Sequence, residues 1–566
     1  MAQENIDELH RQIKELESKV AYLNAQLKQE NRFGLQWIDV PEAFDAESEN
    51  KIPILEEVPE LAITNDDGKP THILIEGDNY HALTCLNYTH HGKVDVIYID
   101  PPYNTGSDGF TYKDKRFLEK FPDGAELPIN HPLRHSAWLS FMDKRLRLAK
   151  DLLSPNGIMF ISIDDNEQAN LRLLCEDIFG NKCVEQYIWC LQDKSEGSFV
   201  KTAGLTVRKE HEYILCCMKN ASTRFSRYKG KRNFENGGFS NPDNDTRGDW
   251  FSGNISRNGI KSTTGSKYYT IVNPAGIAFT RNWTLSKEEY EEALRDNRIY
   301  FANNGKGVPR LKIFANAEIE LIQSSLFNDV HTSITGKNEL KAIFGGEAPF
   351  AFPKPTTLIQ RLLSITKPHV VLDFFAGSGT TMHAVMLHNR IESKNMQCIL
   401  VTNNENNICQ EVTYVRNKRV IKGYKYNKEC VAPLGNSLKY YRTSFVGSNA
   451  SSQATDEDKT ILAQKAGCLL ALAENTLYEQ KTTNNYQIFK DKDKDVWTAV
   501  YFKEDVRPKF FNEFVDEVKE LKGQKNVYIF SWGDVGSFES YFGDDPHAHI
   551  KGIPQPILDI YKSLNS

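Results

Sequence analysis

The period of the apolar positions changes several times along this chain, and each change marks an expected boundary. Over the first thirty residues Ile6, Leu9, Ile13, Leu16, Val20, Leu23 and Leu27 recur at alternating steps of three and four. Ile6, Ile13, Val20 and Leu27 then fall at a and the other three leucines at d, a pattern that favours a parallel two-stranded coiled coil. Residues 1–33 are therefore expected to form a coiled-coil helix that holds a homodimer. The alternative is one amphipathic helix packed on its own protein, because so few heptads make a short coil. Gly34 stops the pattern, and residues 34–70, acidic and proline-bearing, read as an extended connector laid on the surface.

From 71 to 220, short apolar runs (72–75, 94–99, 157–163 and 211–218) alternate with helical stretches (138–153 and 167–179). Alternation at this spacing predicts a parallel, helix-covered sheet. Residues 221–346 lose the pattern and become rich in Asn, Gly, Arg and aromatics; over 347–446 it returns. One α/β sheet is thus expected from two segments, split by an inserted domain. A polar stretch, 447–458, introduces a last module, 447–566, with a helix at 459–479 and strands at 496–502 and 526–531. It carries no recognisable chemistry and reads as an α/β module for assembly.

Two motifs carry chemistry. Asp100-Pro101-Pro102-Tyr103 closes the apolar run VDVIYI. The carboxylate and a nearby carbonyl can each accept one N–H of an exocyclic amine, while the Tyr103 ring stacks on the base that bears it. A proline-rich turn after a strand is the plain alternative. The second motif, residues 370–381 (VVLDFFAGSGTT), runs an apolar strand into Gly377 and Gly379 and then a helix. Those glycines permit a tight bend close to a ligand, and the helix start offers free N–H groups. The third glycine of a dinucleotide site and the lysine of a phosphate loop are missing.

DPPYNTG followed far downstream by DFFAGSGTT resembles the β class of amino-methyltransferases, which modify N6 of adenine, less often N4 of cytosine, using S-adenosylmethionine. The likeness extends to residues 75–79, 211–215 (HEYIL), 352–355 (FPKP), 399–406 (ILVTNNEN) and 437–446. Together these resemble the modification subunit of type III restriction-modification systems, from about Arg32 onward. The resemblance implies a Rossmann-like methyltransferase sheet split by a target-recognition domain at 221–346. It implies that Asp100 and the Pro101 carbonyl hold the two amine protons, with Pro102 shaping the turn and Tyr103 stacking on a flipped base. The cofactor would meet Asp373 through its ammonium, and Phe375, Gly377, Ser378, Gly379 and Thr380 around the turn. Glu405 would take the ribose hydroxyls, unless it is an ordinary loop acid. Asp78 would take the adenine amine of the cofactor, unless it is a helix N-cap. Lys354 would touch the methionine carboxylate, unless the prolines of FPKP merely fix the chain's entry. Phe374 replaces a proline common in the wider class and leaves the carboxylate and glycines intact. The implied partners are double-stranded DNA and a restriction subunit with nuclease and helicase functions.

Composition narrows this further. A net charge of −6 over 566 residues excludes a general polyanion binder, so DNA contact needs a local basic surface. Between Asn220 and Arg281 ten Lys or Arg face four Asp or Glu, interleaved with Phe225, Tyr228, Phe234, Phe239, Trp250, Phe251, Tyr268 and Tyr269. The ten cysteines are scattered without a CxxC pair, which argues for reduced thiols and against a zinc site. No leader and no long apolar run is visible, so a soluble cytoplasmic protein is expected, without membrane contact. His90-His91 reads as a solvated helix end and no metal is expected. The rival functions are a cytosine-N4 methyltransferase and a non-catalytic scaffold that directs a nuclease to DNA.

Overall fold

The computed structural model describes residues 35–39, 51–105, 132–191, 209–226, 228–230, 238–257, 265–315, 319–321, 323–427, 429–446, 456–502, 508–530, 536–543 and 545–552. The heptad over 1–33 lies outside the described residues. The chain divides into two compact units, Met1–Arg224 with Ser324–Ser566, and Phe225–Gln323.

The large unit is built on a ten-stranded sheet: β1 (Ile52–Glu57), β2 (Thr71–Glu76), β3 (Val94–Ile99), β4 (Leu153–Ile163), β5 (Val184–Cys190), β6 (His211–Met218), β7 (Leu326–Phe327), β8 (Val370–Asp373), β9 (Gln397–Thr402) and β10 (Ser437–Val446). Their spatial order is β1-β10-β2-β9-β8-β3-β4-β6-β5-β7. The stretch from β10 to β4 is parallel. Its central strands β3 and β9 are buried on both faces and so read as largely apolar runs rather than alternations. Helices cover it: α1 (Asn79–His90), α2 (Pro132–Leu152), α3 (Gln168–Phe179), α4 (Ser333–Phe344), α5 (Thr356–Thr366), α6 (Thr380–Glu392) and α7 (Tyr414–Lys422). Segments distant in sequence meet at the centre, where Val371 and Leu372 of β8 pair with Val96 and Ile97 of β3. From that pair the chain continues outward in opposite directions, to β9 on one side and β4 on the other. The carboxyl ends of β8 and β3 therefore flank a topological switch point, where an open α/β sheet leaves a crevice for ligands.

Three expectations need correction. Residues 34–70 are not only a surface connector: Ile52, Ile54 and Leu55 are buried in β1, which pairs antiparallel with β10 from Ile52↔Val446 to Glu57↔Tyr441. An edge strand tolerates Pro53, and its acidic end disguised it. His90 is not solvated. Its ring lies under the sheet's cover, Nδ1 is 2.7 Å from the Thr89 hydroxyl, and burial with the Lys93 charge pulls its pKa down to about 3; only His91 is exposed. The insert is shorter than 221–346. Leu326–Phe327 joins the large sheet beside β5, and α4 packs on α7, where Arg419 donates to the Ile343 carbonyl at 2.9 Å.

The unit Phe225–Gln323 has its own core of Ile255, Ile271, Trp283, Tyr290, Ala293 and Ile299. It holds a three-stranded antiparallel sheet, a hairpin (Tyr268–Val272 with Ala278–Asn282), and a helix, Lys287–Arg295, started by a Ser286/Glu289 capping box. Two of the aromatics read as DNA contacts are tied down within this unit. Trp250 is buried under the Lys312 ammonium, which Asp243 and Asp245 neutralise, and the Tyr269 hydroxyl donates to the Leu285 and Ser286 carbonyls. A domain this small needs large rings to bury enough surface.

The C-terminal residues form a five-stranded sheet in sequence order, from Tyr478–Thr482 to Ala548–Gly552, around Tyr501, Phe511 and Phe514. Its leading helix, Asp456–Ala473, packs on α1 and β1, so this module is continuous with the large unit. Among the described residues no helix is long and apolar enough to cross a membrane, no His, Cys, Asp and Glu gather as a metal site, and the cysteines are free thiols.

Candidate functional site

The loop after β3 is held from two sides. The Trp138 indole donates to the Pro102 carbonyl at 2.7 Å. Asn104, at φ +56°, donates to Glu167 at 2.6 Å, and that buried carboxylate also meets His135 Nδ1 at 2.6 Å and the Asn170 amide at 2.9 Å. α2 and α3 thus fix where Asp100 and Tyr103 stand before any ligand arrives.

Asp100 is engaged by two donors. The Lys354 ammonium lies 2.8 Å from Oδ1 and 3.0 Å from Oδ2, and the Tyr103 hydroxyl donates to Oδ1 at 2.8 Å. Lys354 also donates to the Tyr103 oxygen at 2.7 Å and stands over the rings of Tyr103 and Trp189. Lys354, expected to touch the methionine carboxylate, is here engaged by the Asp100 carboxylate. Its placement comes from the backbone. The Pro353 carbonyl lies against Gly336 of α4, where an added Cβ would sit 2.3 Å away, too near for any side chain. Thr356 next along binds Glu339 of the same helix through its amide at 3.1 Å and its hydroxyl at 2.9 Å. Burial alone would lower the pKa of Lys354, but the charges of Asp100 and Glu212 outweigh it and hold the ammonium above its ordinary range. Burial and the Asp100 charge push the Tyr103 phenol well up, so it remains a donor.

Glu212, at the start of β6, is the residue the sequence reading left without a role. Its Oε2 is 3.3 Å from the Tyr103 hydroxyl and 3.6 Å from the Lys354 ammonium. Burial raises its pKa, Lys354 offsets part of that, and Asp100 adds to it.

Asp373 ends β8. Its carboxylate accepts from the Phe375 amide at 3.0 Å and the Thr381 hydroxyl at 2.5 Å, and among the described residues no cation pairs with it. Burial pushes its pKa up to about 7; those two hydrogen bonds oppose the rise and the charge of Asp100 adds to it. Gly377 and Gly379 turn the chain at φ +48° and +74°, the left-handed region that glycine enters without strain. A Cβ on Gly379 would lie 2.5 Å from the Asn417 amide, so that glycine answers to α7 as well as to the turn. The hydroxyls of Ser378 and Thr380 face inward to Arg416, which donates to them at 3.1 and 2.6 Å from full burial. What they can offer a ligand is therefore backbone. The Thr413 hydroxyl holds the Gly377 carbonyl at 2.6 Å. Phe375 is partly exposed, with Phe374 buried behind it.

Two sequence-named residues stand further along the same rim. Asp78 is the N-cap of α1, accepting from the Tyr80 amide at 2.9 Å with the Arg145 guanidinium 3.7 Å away. Glu405 opens a short turn three residues beyond β9 and is partly exposed. The structure thus brings Asp100, Tyr103 and Lys354 into one cluster and the Asp373 turn to the neighbouring strand end. Glu212 and Arg416 complete the two halves.

Residues 94–430 match the DNA methylase family of N6 and N4 enzymes. The type III restriction-modification enzyme StyLTI Mod subunit of Salmonella typhimurium is 35% identical over 353 residues, 59% of this chain and 53% of that protein. The EcoP15I Mod subunit of Escherichia coli is 29% identical over 383 residues, 58% of each. The type II methyltransferase M.KpnI of Klebsiella pneumoniae is 28% identical over 58% of this chain and 79% of its own. The chain spans a little over half the length of the Mod subunits it matches. Both motifs lie inside the matched stretch, each at the end of a central strand of one sheet. On that stretch, more than half of its length, the chain belongs to the DNA methylase family.

Proposed function

We propose that this chain transfers a methyl group from S-adenosylmethionine to N6 of an adenine flipped out of duplex DNA, and serves as the modification and recognition subunit of a type III restriction-modification system. The observation that carries this reading is the pairing, across β8 and β3, of a buried carboxylate that meets no cation among the described residues with a second carboxylate set beside an aromatic ring. Asp373 fits the ammonium of a methionine moiety, and the glycine turn leaves backbone rather than side chain facing the crevice. The bound cofactor supplies an electrophilic methyl; the residues supply position.

Adenine N6 is a weak nucleophile because its lone pair is delocalised into the ring. Asp100 and the Pro101 carbonyl accept hydrogen bonds from its two N–H groups, which makes the nitrogen more tetrahedral, localises the lone pair and stabilises the positive charge that develops. The Pro102 carbonyl is already committed to Trp138. Tyr103 stacks on the base, which must leave the helix to be reached. Asp78, Phe375 and Glu405 line the rest of the cofactor's path. The unit Phe225–Gln323 reads the target sequence, and the heptad over 1–33 joins two copies.

DPPY suits either amine, so cytosine N4 is the second reading. Nucleoside mass spectrometry of DNA from a host expressing the chain decides it. N6-methyladenine, much reduced with Asp100→Ala, is expected; N4-methylcytosine moves the reading to the rival, and no new base supports a scaffold.

A further inference from the structure

Asp100 is crowded in the arrangement just described. An ammonium spans both oxygens and a phenol takes Oδ1 again, which leaves an incoming N6–H only the remaining position on Oδ2, in competition with the ammonium. A buried ammonium that gives way needs another acceptor to receive it. One is in place. Glu212 lies within 3.6 Å of the Lys354 nitrogen and 3.3 Å of the Tyr103 oxygen, both longer than the bonds these groups make to Asp100. It is a buried carboxylate whose two donors are shared with a stronger competitor.

We propose that Glu212 is the alternate counter-ion of this site: when the substrate amine reaches Asp100, the Lys354 ammonium and the Tyr103 hydroxyl shift to Glu212, freeing Asp100 to accept. Glu212 touches neither substrate nor cofactor and is a positioning residue. The exchange conserves charge, since one cation moves between two carboxylates and no proton is transferred. The distances are short enough for a rotation of the lysine's terminal torsion. The charged groups around Glu212 are Lys354 from the segment before α5, Asp100 and Tyr103 from the end of β3, and Asp164 from the end of β4. The raised pKa of Glu212 accords with a carboxylate awaiting a closer cation. The Trp189 ring lies 5.8 Å from the ammonium, a further contact that stays with the lysine head.

This inference rests on Asp100 binding an exocyclic amine, and the test separates the two claims. The target sequence is first read from methylated host DNA, and a duplex carrying 2-aminopurine next to the target adenine reports by fluorescence, without cofactor, whether that adenine leaves the stack and engages the site. Wild type must engage the base; if it does not, the amine-binding reading fails before Glu212 is in question. Glu212→Gln should weaken base engagement and lower kcat about tenfold or more, with cofactor affinity unchanged. Glu212→Asp, which keeps the charge one methylene further back, should recover part of the loss and serves if the glutamine variant folds poorly. Removing the latch as well, in Glu212→Gln with Lys354→Met, should restore base engagement relative to Glu212→Gln alone, because coupled residues are not additive. Wild-type behaviour of Glu212→Gln, or equal losses from it in both lysine backgrounds, would overturn the proposal.

Discussion

Replacing Asp373 by asparagine should remove a carboxylate that titrates near neutrality, and with it the pH dependence of cofactor binding. The carboxyl is buried, held by one amide and one hydroxyl, and faces the charge of Asp100, which together leave its pKa at about 7. A cationic ammonium binds only the ionised form. In the complex the ion pair drops the pKa far below this window, so cofactor binding expels a proton wherever the free protein holds one. With a free-protein pKa of about 7, roughly 3% of molecules are ionised at about pH 5.5 and roughly 75% at about pH 7.5, which weakens binding about 25-fold at the lower pH. The sign follows from the raised pKa: affinity is full above the folded-state value and is lost as pH falls through it. Calorimetry with S-adenosylmethionine across that range measures the slope, and repetition in buffers of different ionisation enthalpy counts the released proton. Asp373→Asn should bind weakly at every pH, without the slope. Flat affinity in the wild type, or a slope that survives Asp373→Asn, would refute the pairing.

Further outcomes follow from the same geometry. Asp100→Ala should lower kcat about a hundred- to a thousand-fold, as loss of one preorganised electrostatic contact does; it should also make cofactor binding less acid-sensitive, because the Asp100 charge helps raise Asp373. Gly379→Ala forces a Cβ to within 2.5 Å of the Asn417 amide at φ +74°, and should cost about 1–3 kcal/mol in thermal unfolding. Exchanging residues 225–323 for the equivalent unit of a relative should move methylation to the relative's sequence while the modified base stays N6-adenine, read by single-molecule sequencing.

The central strands were legible because they are buried on both faces, so VDVIYI and VVLD stand out as predominantly apolar runs, with only Asp95 near the start of one and Asp373 at the end of the other. β1 was not, since Pro53 and the pair Glu56-Glu57 carry the composition of a loop although Ile52, Ile54 and Leu55 face the core. β7 is two residues long and follows the polar insert, too short for any periodicity to register. At the site, local motifs placed Asp100, Tyr103 and the glycine turn because each is defined by its neighbours in sequence. The contact between Lys354 and Asp100 was not legible because the partners lie 254 residues apart, and a salt bridge of that span leaves no local pattern. Glu212 was read only as part of an apolar strand. Arg416 was hidden in the basic run YVRNKRVIK; a signal did exist, for it shares the buried helical face of Val412 and Val420 at steps of four.

The most direct test of the account is methyl transfer by the purified chain itself. Incubated with host DNA and S-adenosylmethionine labelled in its methyl group, the protein should place label on N6 of adenine within one short asymmetric sequence. Asp100→Ala should place it at a rate about a hundred- to a thousand-fold lower, although it still binds the cofactor. Label on cytosine, or an unmodified DNA with a folded, cofactor-binding wild type, would contradict it.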